Sequence, residues 1–522
     1  MKNISKDVAI SFHQVLLKNA EQWPERTYVH CVDQGKSINY GALYSISNRV
    51  AGFLNNRKIK ANDRILLLAE NSVENLIIFT SVLRYGATLA TVHVEMNEEH
   101  LSEIVRAVSP KIVLFQEDLE LQKLKYDLPG EWIAIGDWQE NIGAATGFFD
   151  ILGSFSETDN ISSVASPSDH AVIFYTSGTV AKPKGVIQTH ETAFYNYDAT
   201  ADYLELEPGD KVFDCRSYSW LSAQHMSLGA PLVSGATVVM AKKFSKSNYF
   251  NWLKDSEANV AFVVPTIVNM LINKPEKISG KDLPNLRFLT SSSAPLLEKQ
   301  WIAFEKLYGI KLAQSCGSSE GGNTAAHRGS DRKIGSIGPA QKYQDIRIVD
   351  LGGKKLRRGE VGEIIVGGGK QQAYGYLMPS GVIERLPKDG HHSGDLGFFD
   401  EDDHLHITGR LKELIIRGGM NISPLEIDGV LMQHPCIVEV GTIGVPHPIY
   451  GEEVVSYIVF GSGVKISEAE IVEFCVSKLP KAKIPKAIYT LNELPKNSRG
   501  KLDRSALASH YQINFSKTAD WL

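Results

Sequence analysis

The chain has 522 residues, 43% of them hydrophobic and 22% charged, with a formal net charge of -5 and a pI near 6.3. One hydrophobic core rarely organises so many residues, so two or more domains are expected, and the apolar content is ample to fold them. The mild acidity argues against a nucleic-acid or anionic-membrane partner, either of which favours a strongly basic face, and no run of about 18 apolar residues predicts a membrane span.

From the start of the chain, Met1 to Asp7 is polar and the next apolar stretch is broken by His13, Gln14 and Lys18, so no secretory signal is expected. The five cysteines, Cys31, Cys215, Cys316, Cys436 and Cys475, form no C-x-x-C pair. Such a scattered, odd set predicts reduced thiols and a cytoplasmic location, not a disulfide framework or a zinc site. Residues 64 to 115 alternate strand-like and helix-like runs: Ile65 to Ala69, then Val73 to Arg84 stopped by Gly86, then Thr88 to Val92 and Ile112 to Phe115. That alternation predicts βαβ units on a parallel sheet. Gly143 to Ser168 is polar and reads as a connection between two subdomains.

A second α/β series is expected from Ala171, through Val212-Phe213, Ala236 to Met240, Val260 to Val264, Leu286 to Leu289 and Leu312-Ala313. After Gly321 the segments shorten and glycine rises, predicting a small β-rich subdomain that ends near Thr408. The pattern resets at Gly409. Ser423-Pro424-Leu425-Glu426 and Ser467-Glu468-Ala469-Glu470 read as capping boxes, with strands at Val438 to Val445 and Val454 to Phe460 between them. The expected architecture is α/β: an N-terminal domain, residues 1–408, of two doubly wound subdomains plus the β-rich one, followed by a small mobile α+β domain, residues 409–522.

The most informative stretch is Tyr175 to Val186, where an apolar run empties into hydroxyls, glycines and lysines. Thr176, Ser177, Gly178, Thr179 and Lys184 offer hydroxyl, backbone N–H and ammonium donors, the groups that hold a phosphate chain. The usual P-loop spacing is absent, because the lysine precedes the second glycine. Further along stand Gln314-Ser315-Cys316-Gly317-Ser318-Ser319-Glu320, Ser393-Gly394-Asp395, Gly409-Arg410-Leu411-Lys412-Glu413, Arg417-Gly418-Gly419 and Pro495 to Lys501.

In order and spacing these motifs resemble the adenylate-forming superfamily of acyl-CoA synthetases, non-ribosomal adenylation domains and firefly-type luciferases, over nearly the whole chain. The resemblance implies an ATP-dependent carboxylic acid:CoA ligase that uses ATP, Mg²⁺ and coenzyme A. It makes Thr176, Ser177, Gly178, Thr179 and Lys184 the phosphate loop and Glu320, beside Ser319, the magnesium glutamate. Asp395 and Arg410 become the ribose and phosphate contacts, Lys412 the hinge, and Lys501 the lysine bridging substrate carboxylate and α-phosphate. Arg417, Gly418 and Gly419 would lie along the pantetheine arm of coenzyme A. The acid pocket is expected to draw on Arg216, Trp220, Gln224, Ser292 and Gly317, with Arg216 a candidate to hold a second carboxylate.

Two departures from the family pattern stand out: Val180-Ala181 replaces its Thr-Gly, and Cys316 replaces an aromatic that stacks on adenine. Three other readings compete. A stand-alone enzyme of this superfamily could load the acid onto a phosphopantetheinyl carrier protein, and a weakly catalytic nucleotide binder would share the loop. The third is an α/β-hydrolase, because Gly317-Ser318-Ser319-Glu320-Gly321 also satisfies G-x-S-x-G.

Overall fold

In the computed structural model, residues 11–117, 127–140, 142–175, 183–329, 331–367, 369–461, 466–497 and 501–515 are described, and their strands form four sheets. The first sheet has eight strands. A parallel block runs through His170–Tyr175, Thr88–Thr91, Arg64–Leu68, Ile112–Phe115 and Glu131–Ala134, and Gly185–Thr189, Gly375–Leu377 and Ile383–Arg385 extend it antiparallel. Its central strands are apolar runs buried at nearly every position, as a sheet covered on both faces requires. The helix Val73–Tyr85 packs among them with every residue buried; Ser72 caps it by accepting from Asn75 N, and Gly86 ends it at φ 100°. Burying its Leu and Ile side chains contributes roughly 2 kcal/mol apiece.

The second eight-stranded sheet is ordered Gly322–Ala326, Leu312–Ser318, Phe288–Ser291, Val260–Val263, Lys211–Asp214, Thr237–Met240, Thr27–Cys31 and Lys36–Asn39. The two α/β series are therefore present, but the boundary between them is corrected. His170–Tyr175 and Gly185–Thr189 stay in the first sheet, while Thr27–Cys31 and Lys36–Asn39 cross into the second. His170–Tyr175 is buried at all six positions, so it belongs in a sheet interior and pairs with Thr88–Thr91 regardless of the polar segment before it. That segment lies on the helix Tyr40–Asn56, where Phe155 meets the Phe53 ring edge-on at 5.8 Å. The β-rich part is a four-stranded antiparallel sheet, Ile346–Val349, Gly362–Val366, His391–Phe399 and Leu405–Arg410.

Beyond Gly409 a five-stranded sheet, Met420–Ile422, Ile415–Arg417, Gly451–Phe460, Ile437–His447 and Ala487–Thr490, packs with the helices Pro424–Met432, Glu468–Val476 and Arg504–Asn514 around separate apolar clusters. The Ser467 capping box forms as expected. The Ser423 box does not: its hydroxyl donates to Thr408 O, and Glu426 pairs instead with Lys483 at 2.7 Å. Ser423 thus ties the junction between the two parts of the chain. A second tie is Lys299, whose ammonium donates to His434 O at 2.6 Å.

Candidate active site

The carboxyl ends of the second sheet, the β-rich sheet and the small C-terminal sheet's helices border one cleft of about 1930 Å³. Among its lining residues are Trp220, Ser292, Gly317, Ser319, Asp395, Arg410, Lys412 and Lys501. Asp395 and Arg410 are register partners on adjacent strands, which brings Arg410 Nε to 2.7 Å from Asp395 Oδ1. Ser393 Oγ accepts from Asp395 N at 3.0 Å and itself donates to Ile364 O, fixing the turn before the carboxylate. Burial pushes the Asp395 carboxyl above the usual carboxylate range, against the pull of Arg410 and then of Lys501. The Lys501 ammonium is thus within electrostatic reach of Asp395, although Asp395 is on the four-stranded sheet and Lys501 lies beyond the last strand of the five-stranded one. Around Lys501 the chain closes on itself: Asn497 N donates to Lys501 O at 2.8 Å, and Lys501 N to Asn497 Oδ1 at 3.1 Å.

Glu320 lies in the turn between Leu312–Ser318 and Gly322–Ala326. The turn is anchored through Glu320 O, which accepts from Ala373 N at 2.7 Å. Its carboxylate accepts from Tyr376 Oη at 2.8 Å and stands 4.0 Å from His391 Nε2. Burial holds the His391 imidazole below its ordinary range, against the pull of Glu320. The Lys184 ammonium lies 5.4 Å from the centre of the Tyr376 ring, so Lys184 and Glu320 meet on one tyrosine; none of the three is among the residues lining the cleft, which Glu320 adjoins in sequence through Ser319. Sequence reasoning passed over Tyr376 and His391; the available signal for His391 was its place just before the His392 to Asp395 motif. Thr176, Ser177, Gly178, Thr179, Val180, Ala181 and Lys182 lie outside the described residues.

The same turn excludes the hydrolase reading, because a nucleophile elbow joins a strand to a helix and Ser319 joins two antiparallel strands. Gly317 is required by close approach: a Cβ there would meet Gly322 O at 2.5 Å. Burial pushes the neighbouring Cys316 thiol up to about 12, so it is a neutral wall group.

On the acid side the cleft departs from expectation. Arg216 is not a bare cation: Nε and Nη2 engage Asp214, at 2.7 Å for the nearest pair, and its guanidinium stacks 4.6 Å from the Phe262 ring centre. Direct grip on a substrate carboxylate is corrected to a place behind the wall, reached through Ser222 and Ser292. Gln224 is likewise committed, donating to Thr91 Oγ1 and Tyr218 O at 2.8 Å each, because a buried amide must be satisfied within the protein.

Arg417, Gly418 and Gly419 stand away from the cleft, in a hairpin joining Ile415–Arg417 to Met420–Ile422. Gly418 and Gly419 have φ of 56° and 83°, as a two-residue type I′ turn demands. Arg417 forms a two-pronged pair with Glu453, with Nε at 2.6 Å, and covers the Tyr450 ring at 4.5 Å. The glycines are therefore accounted for by the turn, and Arg417 by its ion pair.

Among the described residues no group of three or more His, Cys, Asp or Glu side chains could hold a metal ion by itself. A single carboxylate at Glu320 fits Mg²⁺ that brings most of its oxygen ligands as phosphate and water. No helix among these residues is long and apolar enough to cross a membrane.

The family model for AMP-binding enzymes matches residues 16–377, and that for the AMP-binding enzyme C-terminal domain matches residues 426–501. A sulfoacetate–CoA ligase of Cupriavidus necator is 29% identical over 94% of this chain and 96% of its own. A long-chain-fatty-acid–CoA ligase of Mycobacterium tuberculosis is 26% identical over 92% of this chain and 94% of its own. The crystal structure of ATP-bound MatB from Rhodopseudomonas palustris superposes with a TM-score of 0.86 at 26% identity, covering 97% of this chain and 99% of that one; its apo form gives 0.80. With the matched models spanning both domains and relatives of this kind matched along almost their full length, the chain belongs to the AMP-binding enzymes and is an AMP-forming acid:CoA ligase, using ATP, Mg²⁺ and coenzyme A.

Proposed function

We propose that the enzyme works through an acyl-adenylate. The substrate carboxylate attacks the α-phosphorus of ATP, the bond to the bridging oxygen breaks and pyrophosphate leaves; the thiol of coenzyme A then attacks the acyl carbon and AMP leaves. The observation that supports this most is the convergence of Lys501 with Asp395, Arg410 and Gly317 on one cleft. In this reading Asp395 accepts the ribose hydroxyls, Arg410 holds the adjoining oxygens, and Lys501 stands between the attacking carboxylate and the α-phosphate. There a single aimed ammonium offsets the charge that two approaching anions create. Thr176, Ser177, Gly178, Thr179, Lys184 and Ser319 would cradle the outgoing phosphates. Glu320 would hold Mg²⁺, whose bound form neutralises phosphate charge.

Residues 1–408 and 409–522 act as two bodies, with Lys412 the hinge between them. The better match to the ATP-bound than to the apo form of MatB, 0.86 against 0.80, supports reading the present arrangement as the adenylating one. Rotation would replace Lys501 at the cleft by the hairpin of Arg417, Gly418 and Gly419, along which pantetheine enters. The five free cysteines support a reducing, cytoplasmic setting.

A panel of carboxylic acids scored for pyrophosphate release, with and without coenzyme A, tests the scheme. Acid-dependent pyrophosphate exchange without coenzyme A, and thioester with it, are expected. Acyl transfer to a phosphopantetheinyl carrier far faster than to coenzyme A would move the assignment to carrier loading, and silence with every acid would leave only nucleotide binding.

A further inference from the structure

The acid end of the cleft contains a polar device that adenylation does not use. Asp214, fully buried, accepts from Arg216 Nε, Nη2 and backbone N and from Ser227 Oγ, and none of these three residues is among those lining the cleft. The Asp214–Arg216 pair is therefore neutral overall, with its positive end turned toward the cleft. There Nη1 donates to Ser292 Oγ at 3.1 Å and to Ser222 Oγ at 3.3 Å, and both serines line the cleft. A hydroxyl that accepts from a guanidinium still has its own proton to donate. Among the described residues neither serine hydroxyl has another partner. Two polarised O–H donors are thus available to the acid, between the apolar Trp220, Leu221, Met226 and Val264.

We propose that Ser222 and Ser292, aligned and polarised by Arg216, select a short carboxylic acid that bears a second anionic oxygen group, a carboxylate or a sulfonate. This inference rests on the ligase reading above. An aliphatic tail would strand both donors against hydrocarbon, at about 1–3 kcal/mol for each one left unmade. An acceptor-only group satisfies them and gains from the guanidinium behind.

Length follows from register. Ser291 pairs with Gln314, so Ser292 and Gly317 lie one strand apart and two residues along. Those offsets, about 4.8 Å and about 6.6 Å, put them on the order of 8 Å from each other. With the reacting carboxylate near Gly317, about one to four carbons span the distance to the serines. The positioning role belongs to Arg216, which reaches the substrate only through the two hydroxyls.

The test compares kcat/KM for acid-dependent pyrophosphate release in matched pairs: malonate against butyrate, succinate against pentanoate, 3-sulfopropionate against pentanoate. The wild-type enzyme should favour the doubly anionic member by ~10²-fold or more, as sites built to hydrogen-bond a substrate reject analogues lacking the group. Ser292→Ala and Ser222→Ala should each shrink that ratio about tenfold or more, the size of one hydrogen bond to a charged group, and Ser292→Thr, which keeps the hydroxyl, should restore most of it. The sulfonate and carboxylate arms show which anion is preferred. Equal or better turnover of the apolar acids, or a ratio unmoved by both alanine variants, overturns this inference and leaves the ligase reading standing. No pyrophosphate with any acid overturns both.

Discussion

The part of the chain up to Thr408 and the part after Gly409 use buried polar groups differently. In the first, whole networks sit inside: His190, His225, His327, Arg84 and Asp214 are all at most 4% exposed. In the second, the buried charged groups among the described residues are Asp428 and Glu453, each tied to one arginine, Arg504 or Arg417. The groups assigned to chemistry there, Lys501 and the Gly418-Gly419 turn, lie at its surface, and a Cβ at Gly419 would meet nothing within 4 Å. A region whose polar groups are mutually committed makes a fixed pocket. A region that keeps them at its rim suits the proposed cycle, in which turning offers different ones to that pocket.

The largest effect expected from this contrast is acid sensitivity of the first part. Burial lowers His190 from 6.5 to about 4, and His225 and His327 to about 3. His225 Nε2 lies 2.9 Å from Gln188 Oε1, to which the neutral ring donates, and Nδ1 has no partner among the described residues, so burial holds this imidazole neutral. Below pH 6.5 the unfolded chain takes up protons at these sites that the folded chain refuses, so stability is full above 6.5 and is lost as pH falls toward the folded values. Each histidine contributes a slope of about 1.4 kcal/mol per pH unit, so the three together approach about 4 kcal/mol per pH unit between pH 6 and pH 4.5. Denaturant unfolding at stepped pH should show it, with a shallower slope in His225→Gln. A flat profile would mean that these histidines are solvated and that the contrast in burial is false.

The next largest concerns the second part. Lys501→Ala should slow acid-dependent pyrophosphate exchange roughly 10²-fold or more, the scale of removing one aimed donor at developing charge. The variant supplied with synthetic acyl-adenylate should still form thioester. An unchanged exchange rate would remove Lys501 from the chemistry.

Much of this division was legible in the sequence. Central strands such as Ile112–Phe115 are continuous apolar runs, and the Gly86 stop and the Ser467–Glu470 box are local signals that the fold obeys. Sheet membership was not legible, because pairing of Thr27–Cys31 with Thr237–Met240 is decided by packing across 200 residues and not by neighbours. Ser423 shows the same limit at short range: the box pattern is present, but tertiary geometry offers its hydroxyl Thr408 O. At the site, the motifs that named Asp395, Arg410 and Lys501 are brought to one cleft by the fold, whereas the candidate Arg216 lies behind the wall. Its partner Asp214 lies only two residues away, but the strand Lys211–Asp214 ends there, so the rule that residues two apart share a face of a strand does not reach across the pair.

A smaller effect separates the glycine turn from its assigned role. Gly419→Leu adds a side chain in open space but at φ 83°, a strain of about 1–2 kcal/mol for most residues and less for asparagine. Gly419→Asn therefore serves as the control for the turn. If the hairpin swings to the pantetheine path, Leu should cut thioester formation from adenylate about tenfold beyond Asn, with exchange nearly intact in both. Equal losses in the two variants and in both half-reactions would assign Gly419 to folding alone.

The smallest effect expected is at the contact between the two parts. Lys299, in the first turn of the helix Glu298–Tyr308, reaches across to His434 O just beyond the helix Pro424–Met432, with Ile437 O at 3.5 Å. A cation placed at the carbonyl end of a helix is favourable, here at His434 O, which also accepts from Ile437 N, and burial lowers the ammonium pKa from its ordinary value, against a weaker pull from Cys436. In the proposed cycle the contact belongs to the present orientation, since the proposed rotation about Lys412 would carry His434 away. Lys299→Ala should therefore weaken this orientation by about 1 kcal/mol, near fivefold in the balance between orientations. Pyrophosphate exchange should fall by up to that factor, while thioester formation from supplied adenylate holds or rises, and Lys299→Arg should behave as wild type. Matched losses in both half-reactions would mean that Lys299 supports the fold of its own helix and not the docking of the second domain.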